Sequence, residues 1–431
     1  MSKTLHSINE PAKQQGSKAR LNQQLHSTGE LSGAEKTHLP PKLLSITQQP
    51  LWDLAFRPWF LAGTLSSVLS VGIWILFLHG YLPTLASSGL TPVAWHIHEM
   101  LFGFGATIAV AFLLTAAQTW TNKRSINGGA LLTLTLIWLI VRALLWSEDS
   151  RVQVLALVLQ AGWWLACIGF LASMVIRAKS KRNYQFIPLL SVMMLLNLSF
   201  LIADFSDHTE LALHLARTAI LTFGLLVGIV GGRVIPFFTG RGADNAQVKA
   251  TPILDKLLPV ITIIGISIFF TGHFIALPFT PAVALISAGI IHLLRLWHWD
   301  PLSTRKVPLL WSLQLAYLAL GLGLVALGIS YHIDLVRFAD ALHLITVGTI
   351  GGMILAMIAR VSLGHTGRPL KPHPSLSIAF ALMFIGTLVR FILPLLQMPI
   401  MAWDISAICW ITAFSIFIWH YTRILMSARA S

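Results

Sequence analysis

Residues 95–116 read WHIHEMLFGFGATIAVAFLLTA. Two histidines and a glutamate stand at its start, and no charged residue follows before residue 116. About 20 such residues form a helix long enough to cross the roughly 30 Å hydrocarbon core of a bilayer, with every backbone polar group satisfied inside the helix. A barrel strand would alternate polar and apolar residues, and this run does not. The stretch therefore predicts a membrane-spanning helix over 93–118.

The same pattern repeats outward in both directions. Apolar runs of spanning length fall near 59–81, 128–147, 152–176, 186–204, 211–232, 257–272, 275–296, 308–330, 338–360, 375–396 and 400–425. The expected fold is an all-α integral membrane domain of about twelve transmembrane helices over residues 51–431. Residues 1–50, rich in Gln, Ser, Lys and His with only scattered apolar residues, read as a disordered polar tail. The tail lacks the continuous apolar core of a signal peptide, so the first apolar run is expected to insert itself.

Composition agrees. Of 431 residues, 55% are hydrophobic and 11% charged, against roughly 25% charged in an ordinary soluble domain. The net charge of +14 is unaccompanied by a basic stripe or stacking motif, and the Lys and Arg residues fall between apolar runs, which argues against nucleic acid as a partner. The two cysteines, Cys167 and Cys409, lie inside apolar runs outside any CxxC or CxxCH context, so thiolate zinc sites and covalently attached haem lack support.

Charge also orients the chain. One set of alternating loops holds Lys123, Arg124, Arg177, Lys179, Arg182, Arg233, Lys256, Arg305, Arg368 and Lys371 among others, whereas the opposite set holds only Arg151 and Arg337. The positive-inside rule places the first set, with both termini, in the cytoplasm. His79, His96, His98, His208, His214, His273, His332 and His343 then all map to the other face.

Three helix starts carry histidine near their outer ends: AWHIHEM at 94–100, LALHLAR at 211–217 and DALHLIT at 340–346. Separations of 118 residues from His96 to His214 and 129 from His214 to His343 suggest three repeats of four helices. The sixth and tenth helices continue through glycine pairs to arginines, in GGRVIPFFTGRG at 231–242 and GGMILAMIARVSLGHTGR at 351–368. A glycine pair allows either tight helix packing, the commoner case, or room for a flat cofactor.

Ionisable groups within a membrane cost about 3 kcal/mol each on insertion scales, which makes them functional candidates. Arg142, Arg217 and Arg390 fall in the outer halves of their spans, near the depth of Glu99. Structural ion pairing and snorkelling is one account. The other has His96, His98, His214 and His343 ligating a metal or haem iron while Arg142, Arg217 and Arg390 neutralise haem propionates. At about 100° per residue His96 and His98 face different ways, and His96 shares its stripe with Glu99, Met100 and Gly103. His343, Thr346, Ile350, Met353 and Met357 run down one side of the tenth helix, where core packing is the commoner role of methionine. FRPWF at 56–60 reads as an interfacial anchor. His365 reads as a loop residue beside Gly364 and Gly367, or as part of a separate cytoplasmic site with Arg360, Arg368 and Arg233.

FRPWFLAG at 56–63, WHIHEMLFGFGATIAVAFLLTA at 95–116, GGRVIPFFT at 231–239 and GGMILAMIARVSLGHTGR at 351–368 together resemble the NnrS family of membrane proteins, in order and spacing. The resemblance runs from about residue 50 to the last helix; AQTWTN at 117–122 is a departure from the family pattern. It implies a multi-pass protein of the bacterial inner membrane that contains haem b and copper and takes part in denitrification and protection from nitric oxide. An oxidoreductase turning over nitric oxide with a quinol or other electron donor is the alternative, and a secondary transporter the third reading. Carriers, however, place their sites near the midplane.

Overall fold

The structure, a computed structural model, describes residues 46–430 apart from Ser88; the tail expected over residues 1–50 lies outside the described residues up to residue 45. Among the described residues every regular element is helical. The chain enters through a single 3-10 turn, Pro50–Trp52. Twelve helices follow: α1 (Phe56–Leu78), α2 (Pro92–Thr121), α3 (Gly128–Leu144), α4 (Ser150–Arg177), α5 (Phe186–Phe205), α6 (Thr209–Gly242), α7 (Pro252–Phe274), α8 (Ala282–His298), α9 (Pro308–Ile329), α10 (Phe338–His365), α11 (Ser375–Leu395) and α12 (Pro399–Met426).

Ten of the twelve are long and apolar enough to cross a membrane. The other two, α3 and α8, have 17 residues each and stand where the third and eighth spans were expected, at the lower limit of the roughly 17–25 residues a crossing needs. The eighth run starts later than its hydropathy suggests, because Ile275 is extended and Pro281 precedes the helix.

The helices sort into interior and rim. Of the most apolar window of each, 78% is buried in α2 and 83% in α10, against 17% in α7. On α7 the exposed positions include Ile253, Leu257, Val260, Ile263 and Ile264. A patch of that kind facing water would mark an interaction site or a liability; on a spanning helix it is the face turned to lipid. α12 packs back against α1, and α10 sits among α6, α9, α11 and α12.

The two most buried helices share a backbone irregularity. α2 widens into a π-helix over His98–Ala106 and α10 over Leu344–Gly351, each beginning immediately after or at a histidine of the expected repeat. π-Helical turns are rare and concentrate at functional sites. α6 is a continuous α-helix of 34 residues despite Pro236, so the repeat is visible in the backbone of α2 and α10 and not of α6. The glycine pair of α10 serves packing: a Cβ on Gly351 would collide with the Trp410 indole, and one on Gly352 would press on Phe384.

Two polar clamps position these helices. Asp204, at the end of α5, accepts hydrogen bonds from the Thr91 backbone N–H at 2.8 Å and the Thr91 hydroxyl at 2.7 Å, directly before Pro92 opens α2. Proline is favoured at that first position because its missing N–H has no partner to lose. Arg57 corrects the interfacial-anchor expectation. It is buried, and its Nη1 donates to the carbonyls of Leu425 at 3.0 Å and Ser427 at 2.6 Å, capping the C-terminus of α12, where carbonyls lack intrahelical partners.

Candidate functional site

A cavity of about 360 Å³ opens among the C-terminal end of α1, the N-terminal ends of α2, α6, α10 and α12, and the C-terminal half of α11. All of these ends lie away from the basic loops, so the cavity belongs to the histidine-rich face. Its volume falls in the range of ligand pockets, roughly 300–1,000 Å³. Most of the wall is apolar or aromatic, with Trp74, Phe104, Trp403 and Trp410, and four basic side chains interrupt it: His96, Arg217, His343 and Arg390.

Each of the four is held differently. The His96 ring stacks on Trp74 with centroids 4.6 Å apart and planes 17° from parallel, and its buried Nδ1 has no hydrogen-bond partner. The His343 Nδ1–H donates to the Ala339 carbonyl at 2.6 Å, one turn earlier in α10. That bond fixes the tautomer whose Nε2 carries a free lone pair, the arrangement seen in metal-ligating imidazoles whose other nitrogen is tied to a carbonyl. Arg390 donates to the Asp340 carboxylate at 2.6 Å. Arg217 lies over the Phe338 ring at 5.4 Å and forms no ion pair with a carboxylate among the described residues. Beside it in the α9–α10 connection, burial pushes the Tyr331 phenol up to about 12, against the opposing pull of Arg217, so at neutral pH this neighbour is an uncharged hydroxyl.

The other expected site residues are elsewhere. His98 and Glu99 point to the opposite side of α2 from His96, where Glu99 Oε1 lies 3.1 Å from Arg142 Nε and 3.2 Å from His98 Nδ1. Arg142 also donates to Gln160 of α4 at 3.2 Å. The shared stripe expected for His96, Glu99, Met100 and Gly103 thus divides: Met100 stays on the cavity wall with His96. Gly103 goes with the ion pair, since a Cβ there would come within 3.0 Å of Glu99 Oε2 and 3.2 Å of Arg142 Nη1. The cause is local, because the expected stripe assumed the angular step of an α-helix and the segment from His98 is π-helical.

His214 does not reach the cavity either. Its ring stacks on His273 of α7 with centroids 4.3 Å apart, and its Nε2–H donates to the Phe270 carbonyl at 3.1 Å. From α6 the cavity receives Arg217 instead. The structure therefore brings together His96, His343, Arg217 and Arg390, and separates from them the His98–Glu99–Arg142 cluster and the His214–His273 stack. Met353 and Met357 line a small apolar void of about 60 Å³ deeper between α2, α6 and α10, in keeping with packing.

The second expected group also disperses. His365 ends α10 and packs on Phe56. Arg360 lies over Phe238 at 3.9 Å, and Arg368 donates to the Ser427 hydroxyl at 2.8 Å. His292 went unnoticed in the sequence, since it stands alone in an apolar run with no motif around it.

The residues of the cavity fit a haem. Two imidazoles, His96 with its Nδ1 unpartnered among the described residues and His343 with its Nδ1 tied to Ala339, line a largely aromatic cavity with guanidiniums of the kind that pair with propionates. For copper, the other group the resemblance implies, no three His, Cys, Asp or Glu side chains gather as a metal-holding set among the described residues. In comparison with known proteins, the family model described as NnrS protein matches residues 50–429. None of the curated proteins matches the chain.

Proposed function

Since the chain belongs to the NnrS family, we propose that it is a haem b protein of the bacterial inner membrane that protects the cell from nitric oxide, with its cavity on the periplasmic side. The observation that carries the proposal is the pairing of His96 and His343, with free ring nitrogens, on the wall of one cavity that also holds Arg217 and Arg390.

In this reading His343, its ring fixed by the Ala339 carbonyl, and His96, stacked on Trp74, would hold the group through their ring nitrogens. Arg217, unmatched by a carboxylate among the described residues, would attract an anionic group such as a propionate; Arg390, already matched by Asp340, would supply hydrogen-bond donors at little net charge. The aromatic wall excludes water. When bound, the haem would supply an iron to which nitric oxide can bind.

The test is the absorption spectrum of detergent-purified protein from haem-replete cells, oxidised and dithionite-reduced, with a pyridine haemochrome assay. A b-type Soret band that shifts on adding nitric oxide is expected. Colourless protein from the same cells would overturn the proposal.

A further inference from the structure

A second cavity, of about 200 Å³, lies at the opposite end of the bundle, among the start of α5, the C-terminal half of α6, the start of α7 and the end of α8. Its mouth is at Arg182 and Gln185, which are exposed; its floor is at His292 and Arg295, which are 1% and 4% exposed. This is the end that carries the basic loops.

The floor is built around glycines of α6. A Cβ on Gly228 would stand 2.8 Å from His292 Cε1, and one on Gly232 would collide with the Arg295 guanidinium. Arg295 is fixed by Asp255 of α7, which accepts from its Nε at 2.8 Å, and by the Tyr317 hydroxyl, which accepts from its Nη1 at 2.6 Å. Arg233 is braced by Asn183 Oδ1 at 2.9 Å and the Arg182 carbonyl at 3.1 Å, and it lies over the Phe186 ring. The buried His292 Nδ1 has no hydrogen-bond partner among the described residues.

Charge does not balance here. Arg182, Arg233 and Arg295 meet one carboxylate, Asp255, in the lining, so two positive charges are unmatched. A buried imidazole nitrogen without a partner costs free energy unless something completes it. We propose that this cavity is an anion site that takes a phosphate group, either on the head of a phospholipid or as the free ion. Phosphate has the one to two negative charges that Arg182 and Arg233 leave unanswered. Its oxygens can accept from Gln185 and His292 as well as from both guanidiniums. Basic pockets between spanning helices on the cytoplasmic side bind lipid head groups in just this setting, and arginine forks match phosphate geometry.

Delipidated protein in dodecyl maltoside is titrated calorimetrically with inorganic phosphate. In parallel, protein reconstituted with phosphatidylglycerol is examined for retained lipid by native mass spectrometry. Saturable phosphate binding, weakened at least about tenfold in Arg182→Gln and Arg233→Gln but not in the surface control Arg305→Gln, assigns the site to a free anion. One phosphatidylglycerol retained per chain, and lost in Arg182→Gln and Arg233→Gln alone, assigns it to lipid. Absence of both in the wild type, or equal binding by all three variants, would overturn the proposal. Arg182 is exposed, so its variant keeps the test open if Arg233→Gln fails to fold.

Discussion

Arg390 of α11 and Asp340 of α10 are joined at 2.6 Å in the wall of the histidine-lined cavity, whereas Arg217 of α6 faces the same cavity with no carboxylate beside it. Two arginines at one site thus have different debts to the fold. Removing one partner of a buried pair strands the other charge, at a cost of about 3–5 kcal/mol. Arg390→Gln is expected to lower the detergent unfolding midpoint sharply. Arg217→Gln should leave that midpoint nearly unchanged while haem per chain falls. Equal destabilisation by the two would mean that Arg217 has a structural partner of similar weight.

The imidazoles separate in the same way. His96→Ala and His343→Ala are each expected to reduce haem per chain in the pyridine haemochrome assay. His214→Ala should retain it, since that ring is committed to His273 and the Phe270 carbonyl. Loss of haem in the His214 variant with retention in the other two would move the site to the α6–α7 interface.

The Glu99–Arg142 pair is accessible to a double-mutant cycle. Glu99→Gln leaves the Arg142 guanidinium buried beside His98 without its carboxylate, and a loss of about 3–5 kcal/mol in detergent is expected. Adding Arg142→Met should recover part of that loss. Strict additivity of the two substitutions would show that the pair is not coupled.

Arg57→Gln tests the link between the first and last helices. Its loss leaves the α12 terminal carbonyls of Leu425 and Ser427 without a charged donor, at about 1.5–3 kcal/mol. The variant should show faster backbone hydrogen exchange at the C-terminal turn of α12; unchanged exchange there would contradict the capping role.

Much of this was written in one dimension. Twelve helices follow from where apolar runs begin and end, because a spanning segment must be continuous and close its own hydrogen bonds. The basic residues of alternate loops mark one end of the bundle and the histidines the other. The chemistry-bearing residues of the histidine-rich face were legible too, since His96, His343, Arg217 and Arg390 are ionisable groups in apolar runs.

Which of them meet was decided by tertiary structure. His96 and His98 are two residues apart, yet one faces a cavity and the other an ion pair across α3, and the assignment of Glu99 and Gly103 between them turned on a π-helical segment. Helical periodicity assumes a constant angular step, and a π segment changes that step within a single helix. His214 carries the same sequence signature as His343 and ends against α7, because the rotation of a helix about its axis is set by its neighbours and not by its own residues. The cavity at the other end was invisible for the same reason: Arg182, Arg233, Asp255, His292 and Arg295 come from three helices and the α4–α5 connection, and only packing brings them together.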